Sequence, residues 1–307
     1  MDVTVICPLY KAEEYIDELH NSLLMQKNIK LKEIKYILTD NKDGLAEKIS
    51  GLEKATLTKI TPEDFSHSLV REEAAFEVNT SIIVFITQDV KIRDDNWIYK
   101  LVRPIFYNEC EAAFSKQICD NNSIEKYTRI KNYPDESRIV TKKDTDKLGI
   151  RTFFFSDAAS AVNTKIFKKL NGYDGKDLLT NEDMYFAYKL INSGYRIMYN
   201  SESEVIHSHD YKFKELFKRY FDQGVFLINN DYLMKYNVNG SAVDLLLFIV
   251  KESIKEKNGK VILNILPNFL ARYLGNKFGQ NYKRLSKEII KKLSASGFYW
   301  ERMGNFK

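Results

Sequence analysis

Two aspartates directly follow strands that the sequence predicts. Asp40 comes just after the predicted strand Ile34–Leu38, and Asp89 comes shortly after the predicted strand Ser81–Ile86. In open parallel sheets, ligands bind beyond the carboxyl ends of the strands, so both carboxylates are candidates for contact with one ligand. Carboxylates there suit Mg²⁺ or Mn²⁺, which bind through one or two carboxylates together with substrate phosphates. The alternative is that each aspartate only caps the helix or turn that follows.

A second acidic pair stands at the start of a predicted helix. Glu182 and Asp183 lie in the first turn of the predicted helix Asn181–Ser193. A carboxylate there can act as a general base if the helix aims it into a cleft and a nearby metal ion tunes its pKa. Acidic residues in a first turn also stabilise a helix through its dipole, so a purely structural role stays an alternative.

Two histidines lie at the end of the predicted strand Glu204–His207. His207 and His209 are separated by one residue, so their rings lie on the same side if the extended conformation continues. This arrangement favours a metal or phosphate contact. A single histidine at a strand end is more often a hydrogen-bonded structural residue, which is the alternative.

The elements that must position these residues are short strands alternating with helical patterns. Such alternation is typical of a parallel sheet flanked by helices, and it predicts an α/β fold. A polar segment without periodicity, Cys119–Gly149, predicts a long loop. The remaining predicted strands lie at 3–7, 55–60 and 196–199, and predicted helices at 12–26, 43–50, 66–79, 94–107 and 164–170.

From Lys212 onward the pattern is helical almost to the end, so we expect a catalytic and binding domain at 1–211 and a helical region at 212–307. The chain has 47 Lys and Arg against 42 Asp and Glu, a net charge of +5. Residues 251–307 carry 13 basic and 4 acidic side chains, a net of +9, which leaves −4 for residues 1–250. An acidic body without a basic stripe argues against a nucleic-acid partner.

The basic C-terminal region contains one segment, Tyr282–Leu293, that predicts an amphipathic helix. Leu285, Ile289 and Leu293 would share one face, while lysines and arginines cover the rest. The segment could be a solvated face packed on the body, or it could contact anionic lipid. Self-association of the chain into a homo-oligomer through this region is a third alternative.

The cysteines and the apolar stretches indicate the cellular compartment of the protein. Cys7, Cys110 and Cys119 show no paired spacing, which argues for a reducing compartment and against a disulfide or zinc framework. The N-terminus shows no signal peptide, and the longest apolar stretch, Ala242–Val250, is far too short to span a bilayer. We therefore expect a cytoplasmic protein, with peripheral attachment to the inner face of the cell membrane left open.

Six motifs in order resemble inverting glycosyltransferases of the large GT-A family that includes the bacterial rhamnosyltransferases. The resemblance covers residues 3–300, and its T-Q-D segment matches the form of the metal motif typical of rhamnosyltransferases. It implies a GT-A fold, a nucleotide-sugar donor and Mn²⁺ or Mg²⁺ as cofactor. The motifs are ICPLYKAEEYI, DFSHSLVREEA, IIVFITQDVKIRDDNWI, FFFSDAASAVNTKIFKKLNGYD, NEDMYFAYKLINSGYRIMYNSESEVIHSHDY and FKRYFDQGVF.

The resemblance also implies a role for each matched residue. Asp183 would be the catalytic base and Glu182 would orient the acceptor, while Asp89 and His207 would bind the metal ion. Trp97 and His209 would lie on the acceptor side or beside the pocket. The residues implied for nucleotide and donor binding are Pro8, Tyr10, Asp40, Asp43, His67, Arg71, Gln88, Asp89, Ser156 and Asp157.

Three departures from the family pattern bear, in turn, on the number of carboxylates at the metal site, on the nucleotide contact of Asp43 and on the base preference. Gln88 stands where many relatives carry a second aspartate, and Asp40 is followed by NKDG instead of the commoner Asp-x-Ser-x-Asp pattern. Leu9 and Lys11 replace the usual threonine and asparagine of the opening loop.

The expected reaction is metal-dependent, inverting transfer of L-rhamnose from dTDP-L-rhamnose to a hydroxyl of a growing cell-surface polysaccharide on a lipid carrier. The same chemistry with a UDP-hexose donor is the first alternative. A non-catalytic module that binds a nucleotide-sugar is the second.

Overall fold

The computed structural model describes residues 1–39, 44–236 and 241–304, and within them eight strands form one mixed sheet in the order β3-β2-β1-β4-β7-β5-β8-β6. The strands are β1 Asp2–Tyr10, β2 Lys30–Thr39, β3 Ala55–Ile60, β4 Ile82–Ile86, β5 Ala112–Ile118, β6 Arg138–Val140, β7 Ala159–Asn163 and β8 Ile197–Ile206.

Helices cover both faces of the sheet and make up the C-terminal region. They are α1 Ile16–Leu24, α2 Leu45–Ser50, α3 His67–Glu77, α4 Trp97–Phe106, α5 Ile124–Asn132, α6 Thr145–Leu148, α7 Thr164–Lys169, α8 Glu182–Asn192, α9 Phe213–Asn229, α10 Ser241–Lys255, α11 Gly259–Gln280, α12 Lys287–Leu293 and α13 Gly297–Arg302. Short 3₁₀ turns lie at Lys142–Asp144, Gly149–Phe153, Asp231–Tyr236 and Tyr282–Arg284.

The direction of the strands decides where a ligand can bind. β1 pairs in parallel with β2 and β4, and β2 with β3, so these four strands end at one edge of the sheet. β7 runs antiparallel to both β4 and β5, and β5 runs parallel to β8, so β5 and β8 end at that same edge. Residues that follow β1, β2, β4 and β8 therefore meet there.

The core lies on both faces of the sheet, which explains why β4 reads as the continuous apolar run IIVFI with every residue buried. Ile82 and Val84 belong to the cluster under α1 and α4, whereas Ile83 and Phe85 belong to the cluster under α3, α7 and α8. Successive residues of β4 thus pack into two different cores on opposite faces of the sheet, so neither face of the strand has to be polar.

Two sequence-based expectations are wrong in this part of the fold, and one strand has no counterpart among the predicted elements. The segment Cys119–Gly149 is not a long loop, because it contains α5, β6 and α6. The two predicted strands at 196–199 and 204–207 are one strand, β8, whose pairing with β5 shifts register at Ser115. The strand β5 itself was not expected at all, since its polar half, Ser115–Gln117, interrupts the apolar pattern.

In the C-terminal region, α9 and α11 pack at very close range. Gly224 on α9 faces α11, and Gly275 and Gly279 on α11 face α9, so a Cβ added at any of the three would meet backbone atoms of the other helix. Glycine at these positions lets the two helix backbones touch, because there is no side chain to hold them apart.

The predicted amphipathic helix at Tyr282–Leu293 is broken. A 3₁₀ turn ends at Arg284, and α12 starts anew after Ser286, whose hydroxyl accepts from the backbone N–H of Ile289. Ile290 is buried and Ile289 is exposed, so the predicted apolar face is wrong. Within the described ranges, no helix is long and apolar enough to cross a bilayer.

Candidate active site

Three side chains meet at the edge where β4 and β8 end. The Nε2 of His207 lies 3.4 Å from Oδ2 of Asp89, and the Nε2 of His209 lies 3.8 Å from that oxygen. The two Nε2 atoms are 2.9 Å apart. One potential ligand atom from each residue therefore falls within 4.8 Å of the others. The backbone fixes this arrangement, because Lys91 and Ile206 exchange N–H···O bonds of 2.9 and 3.0 Å.

A buried amide orients the His207 ring. The Oε1 of Gln117 accepts from the guanidinium of Arg129 and lies 2.9 Å from Nδ1 of His207. Because arginine only donates, the atom of Gln117 facing both partners is the oxygen, and Nδ1 must carry the proton. In the neutral ring the lone pair is then on Nε2, the ring nitrogen nearest Asp89, and this is the tautomer that a metal ligand needs.

Burial and charge shift the pKa values of two members of this cluster, Asp89 and His209. Burial by itself would raise the pKa of Asp89, but the hydrogen bond and charge that a protonated His207 ring supplies, with His209 nearby, outweigh it and hold that pKa below its usual value. Burial, then the neighbouring His207, lowers the pKa of His209 to about 3. A carboxylate oxygen and two neutral imidazole nitrogens are a donor set that fits a divalent cation with positions left for phosphate oxygens.

A second cluster of carboxylates lies where α3, β7 and α8 meet. Arg71 donates to Oε1 of Glu182 at 3.1 Å, and both side chains are buried. Asp157 accepts from Ser160 and from Tyr173, each at 2.7 Å. Burial, opposed in part by Arg71, raises the pKa of Asp157 to about 6.

Asp183 is aimed by an unusual turn. Asn181 precedes the first residue of α8 and adopts a left-handed conformation, with φ of 59°. Non-glycine residues rarely adopt this conformation, and asparagine tolerates it better than most. The residue type at position 181 therefore helps to determine where α8 begins, and with it where Asp183 lies. Asp183 accepts from the N–H of Met184 at 2.7 Å. Burial first, then the charges of Glu182 and Asp157, raises the pKa of Asp183 well above its usual value, which makes it a stronger proton acceptor.

The turn that carries Tyr173 is fixed from below by a buried acid. Glu72 on α3 accepts from the N–H of Tyr173 at 2.5 Å and of Gly175 at 3.0 Å. Gly172 has φ of 43°, and a Cβ there would collide with the Glu72 side chain. Glu72 therefore sets the position of Tyr173, which in turn holds Asp157.

A cavity of about 500 Å³ opens beyond the ends of β1 and β2. Tyr10, Thr39, Phe65 and His67 line its inner side. The opposite side is formed by the C-terminal segment 295–302, so residues after 211 share in this cavity. Its size is in the usual range for a small-molecule site.

The structure brings most of the expected site residues to this edge. Asp40 and Asp43 lie outside the described residues. Pro8 is half-buried in β1, and the Gln88 amide is paired with the backbone of Tyr10 at 2.7 and 2.8 Å. Ser156 accepts from the Nε2 of Gln117, beside the metal-ligand cluster.

The two residues implied for the acceptor side or the pocket, His209 and Trp97, lie in different places. The Nε2 of His209 lies with the potential metal ligands, as the spacing of the two histidines favours, and not on a separate acceptor side. Trp97 was expected beside the pocket, but it is fully buried under the sheet and its indole N–H donates to Ser115 at 2.9 Å. Trp97 therefore belongs to the core, because no surface of it is free to meet an acceptor.

Several residues of the site were missed. Gln117 and Arg129 lie in segments whose sequence shows no motif, so no signal pointed to them. Tyr173 stands inside the quoted N-G-Y-D turn, and Arg302 pairs with Asp177 across 125 positions, a contact that no local pattern can reveal.

Comparison with known proteins identifies the family. The description "Glycosyl transferase family 2" matches residues 4–171. The chain belongs to glycosyl transferase family 2. O-antigen chain rhamnosyltransferase RfbN of Salmonella typhimurium is 29% identical over 99% of this chain and 97% of its own length. O-antigen chain rhamnosyltransferase WbaN of Salmonella anatum is 30% identical over 80% of this chain and 78% of its own length.

Solved structures show the fold of this glycosyltransferase. Mannosyltransferase PcManGT from Pyrobaculum calidifontis, in complex with GDP-Man and Mn²⁺, aligns with a TM-score of 0.53 at 13% identity over 97% of this chain and 84% of that chain. S. aureus TarS in complex with UDP-GlcNAc aligns with a TM-score of 0.52 at 14% identity over 92% of each chain. The expected GT-A fold with a helical C-terminal region is confirmed. As a family member, the glycosyltransferase takes a nucleotide-sugar donor and a saccharide acceptor.

Proposed function

We propose that this glycosyltransferase transfers L-rhamnose from dTDP-L-rhamnose to a hydroxyl of a growing cell-surface polysaccharide, with inversion at the anomeric carbon. Two relatives at 29% and 30% identity, both named O-antigen chain rhamnosyltransferases, support the choice of sugar and acceptor. The observation that carries the chemistry is one carboxylate with a raised pKa, Asp183, at the same edge of the sheet as a separate cluster of potential metal ligands.

The number of available carboxylates supports inversion. Glu182 is paired with Arg71, and Asp157 accepts from Ser160 and Tyr173, so both are committed to side-chain partners. Among the described residues, Asp183 accepts only from backbone N–H groups, those of Met184 and Asp157. A single available base fits one direct displacement, because a double displacement needs a second carboxylate as nucleophile.

In the proposed step, Asp183 takes the proton of the acceptor hydroxyl while the acceptor oxygen forms its bond to the anomeric carbon. The bond from that carbon to the diphosphate oxygen breaks, and the nucleoside diphosphate leaves with the electron pair. Arg71 holds Glu182 so that its second oxygen can orient the acceptor. A divalent cation held by Asp89, His207 and His209 would neutralise the charge that grows on the diphosphate.

We propose Mn²⁺ rather than Mg²⁺ as the working ion. Two of the three potential ligands are imidazoles, and imidazole suits softer transition metals, whereas Mg²⁺ prefers a shell of oxygens. The order of affinity for nitrogen ligands also places Mg²⁺ behind the first-row transition ions. Gln88 supplies no carboxylate, which leaves one acidic ligand from this loop.

For the acceptor we propose a saccharide on a lipid carrier, approached through peripheral contact of the protein with the membrane. Support comes from the hairpin α10–α11, whose outer face carries exposed apolar side chains. Leu263 and Leu266 on α11 are 83% and 76% exposed, and Leu247 on α10 is 61% exposed. Further exposed apolar side chains on these two helices are Val243, Ile254, Leu270 and Tyr273.

This apolar face replaces the basic segment as the proposed contact. The hairpin lies beside the metal-ligand cluster, since Lys260 approaches Asp210 at 3.7 Å, next to His209. Exposed Lys255 and Lys260 flank these apolar side chains, where their cations can meet anionic headgroups.

Leu263→Ser with Leu266→Ser should abolish sedimentation with anionic liposomes, while Lys283→Ser with Lys287→Ser should reduce it less. Equal sedimentation of the first variant and the parent would refute the contact, and a parent that dimerises without binding liposomes would assign the face to self-association.

The experiment that tests the proposed donor is release of nucleoside diphosphate from a panel of donors with Mn²⁺, Mg²⁺ or a chelator. We expect turnover with dTDP-L-rhamnose and Mn²⁺, and little with UDP-hexoses. Faster turnover of a UDP-hexose would replace the proposed donor with the alternative one. Undiminished turnover in the chelator would refute the proposed metal site.

A further inference from the structure

The C-terminal segment 295–302, far outside the matched family region, forms one wall of the cavity beyond β1 and β2. Tyr10 at the end of β1 and Phe298 on α13 both line the cavity, and both are large apolar side chains left 49% and 43% exposed. Aromatic rings exposed on two sides of a cavity are suited to stacking on a planar base, which presents a π-face to either side.

This segment is attached to the body at both ends. Arg302 forms a two-pronged ion pair with Asp177, with Nε–Oδ2 and NH2–Oδ1 distances of 2.8 and 3.2 Å, and its NH1 donates to the carbonyl of Glu63 at 2.7 Å. At the other end, buried Asp222 on α9 accepts from the N–H of Ala295 at 2.9 Å. Such a bidentate pair fixes orientation as well as distance.

The cavity is coupled directly to the metal-ligand cluster. Gln88, the neighbour of Asp89, exchanges two hydrogen bonds with the backbone of Tyr10, of 2.7 and 2.8 Å. In a nucleotide-sugar the base is covalently joined to the diphosphate. A diphosphate at Asp89 therefore places the nucleoside on the side of Tyr10, where the cavity opens.

We infer that α13 and the residues before it form the outer wall of the nucleobase pocket, with Phe298 contacting a pyrimidine base and Arg302 positioning the wall. The inference rests on the proposed function, in that it takes the ligand to be a nucleoside diphosphate. The cavity then acquires its base preference from residues near the C-terminus as well as from Tyr10 and Thr39 at the ends of β1 and β2.

The test is titration calorimetry of the full chain with Mn²⁺ and dTDP, UDP, GDP or inorganic pyrophosphate. Phe298→Ala should weaken the preferred nucleoside diphosphate at least about tenfold, as expected for loss of one stacking ring. Arg302→Gln should weaken it by a similar factor, raising KM for the donor while kcat changes little. Pyrophosphate binding should stay unchanged in both variants, because it does not reach the wall.

Lys292→Ala, an exposed position on α12, is the matched control and should bind like the parent. If Phe298→Ala binds the nucleotide with the affinity of the parent, while Tyr10→Ala binds it more weakly, the proposed role of Phe298 in the wall is refuted. Equal loss of nucleotide and pyrophosphate would mean general damage to the fold and would also overturn it. If the parent prefers UDP, the proposed donor fails but the wall stands, provided that Phe298→Ala weakens UDP. A parent that binds none of the nucleotides refutes both.

Discussion

The Nε2 atoms of His207 and His209 lie 2.9 Å apart and both face Asp89. The Gln117 contact places the His207 proton on Nδ1, so its Nε2 lone pair points into the gap between the three side chains. A cation there would be shared by two imidazoles instead of one, which makes His209 part of the metal-binding set in our account.

We predict that His209→Ala lowers Mn²⁺ affinity at least about tenfold, since losing a ligand costs no less than losing a supporting residue. Activity should recover in part at high Mn²⁺ concentration. The measurement is a metal titration of donor turnover, with Tyr211→Phe as control because it keeps the ring that stacks on His209 at 4.8 Å. An unchanged half-saturating concentration in His209→Ala would exclude the residue as a ligand.

The second prediction concerns the residue behind His207. Gln117→Leu removes the acceptor for Nδ1–H, so we expect Mn²⁺ affinity to fall about tenfold to a hundredfold. Gln117→Glu keeps an acceptor and gains a charge partner for Arg129, so it should bind Mn²⁺ close to the parent value. The same titration reads both variants, and equal losses in Leu and Glu would show that the oxygen does not orient the ring.

The third prediction concerns pH. The pKa of Asp183 is raised by burial and then by the charges of Glu182 and Asp157. Only the deprotonated form accepts a proton, so kcat should fall as the pH drops through this raised pKa, above the usual aspartate range. Glu182→Gln removes one of the raising charges and should move the acid limb to lower pH, whatever it does to the maximum rate. If the acid limb of the kcat profile stays at the same pH in Glu182→Gln, measured at saturating Mn²⁺ and donor, the limb belongs to a group other than Asp183.

The fourth prediction concerns the contact between α9 and α11. Gly279→Ala should destabilise the protein by roughly 1–3 kcal/mol, because the added Cβ meets the backbone of Phe221 and Gly224, which cannot move without separating the helices. Gly259→Ala at the start of α11 is the control, since beyond the neighbouring residues of its own helix nothing lies within 4 Å of an added Cβ. Urea unfolding compares the two, and equal midpoints would show that the helices can part at no cost.

The sequence predicted those parts of the fold and site in which local pattern and strand direction suffice. Asp89 and His207 each follow a strand, and the parallel order of β4, β5 and β8 brings them together as expected. The helix start at Glu182 was also foreseen. The left-handed conformation of Asn181, directly before this helix, was not foreseen, because a single backbone conformation leaves no periodic signal.

What the sequence could not predict depends on tertiary context. The sequence of helix α5 predicts a loop because its buried residues, Ile124, Tyr127 and Thr128, are few among charged neighbours, and the helix is completed by packing on α10. The resemblance implies a place for Trp97 beside the pocket, but α4 turns its side chain into the core. The contact of Arg302 with Asp177 joins distant parts of the chain, so neither residue alone suggests it.

We propose Asp183 as the base of the glycosyl transfer, and one comparison tests this role. The measurement compares Asp183→Asn with the parent in transfer of sugar from dTDP-L-rhamnose to a saccharide acceptor, with donor binding measured in parallel and Asp146→Asn, an exposed position, as control. An amide matches the shape of the carboxylate but cannot take up the proton. We predict a fall in kcat of about 10²-fold to 10⁴-fold with donor affinity close to the parent value. Transfer by Asp183→Asn at near the parent rate would contradict the account.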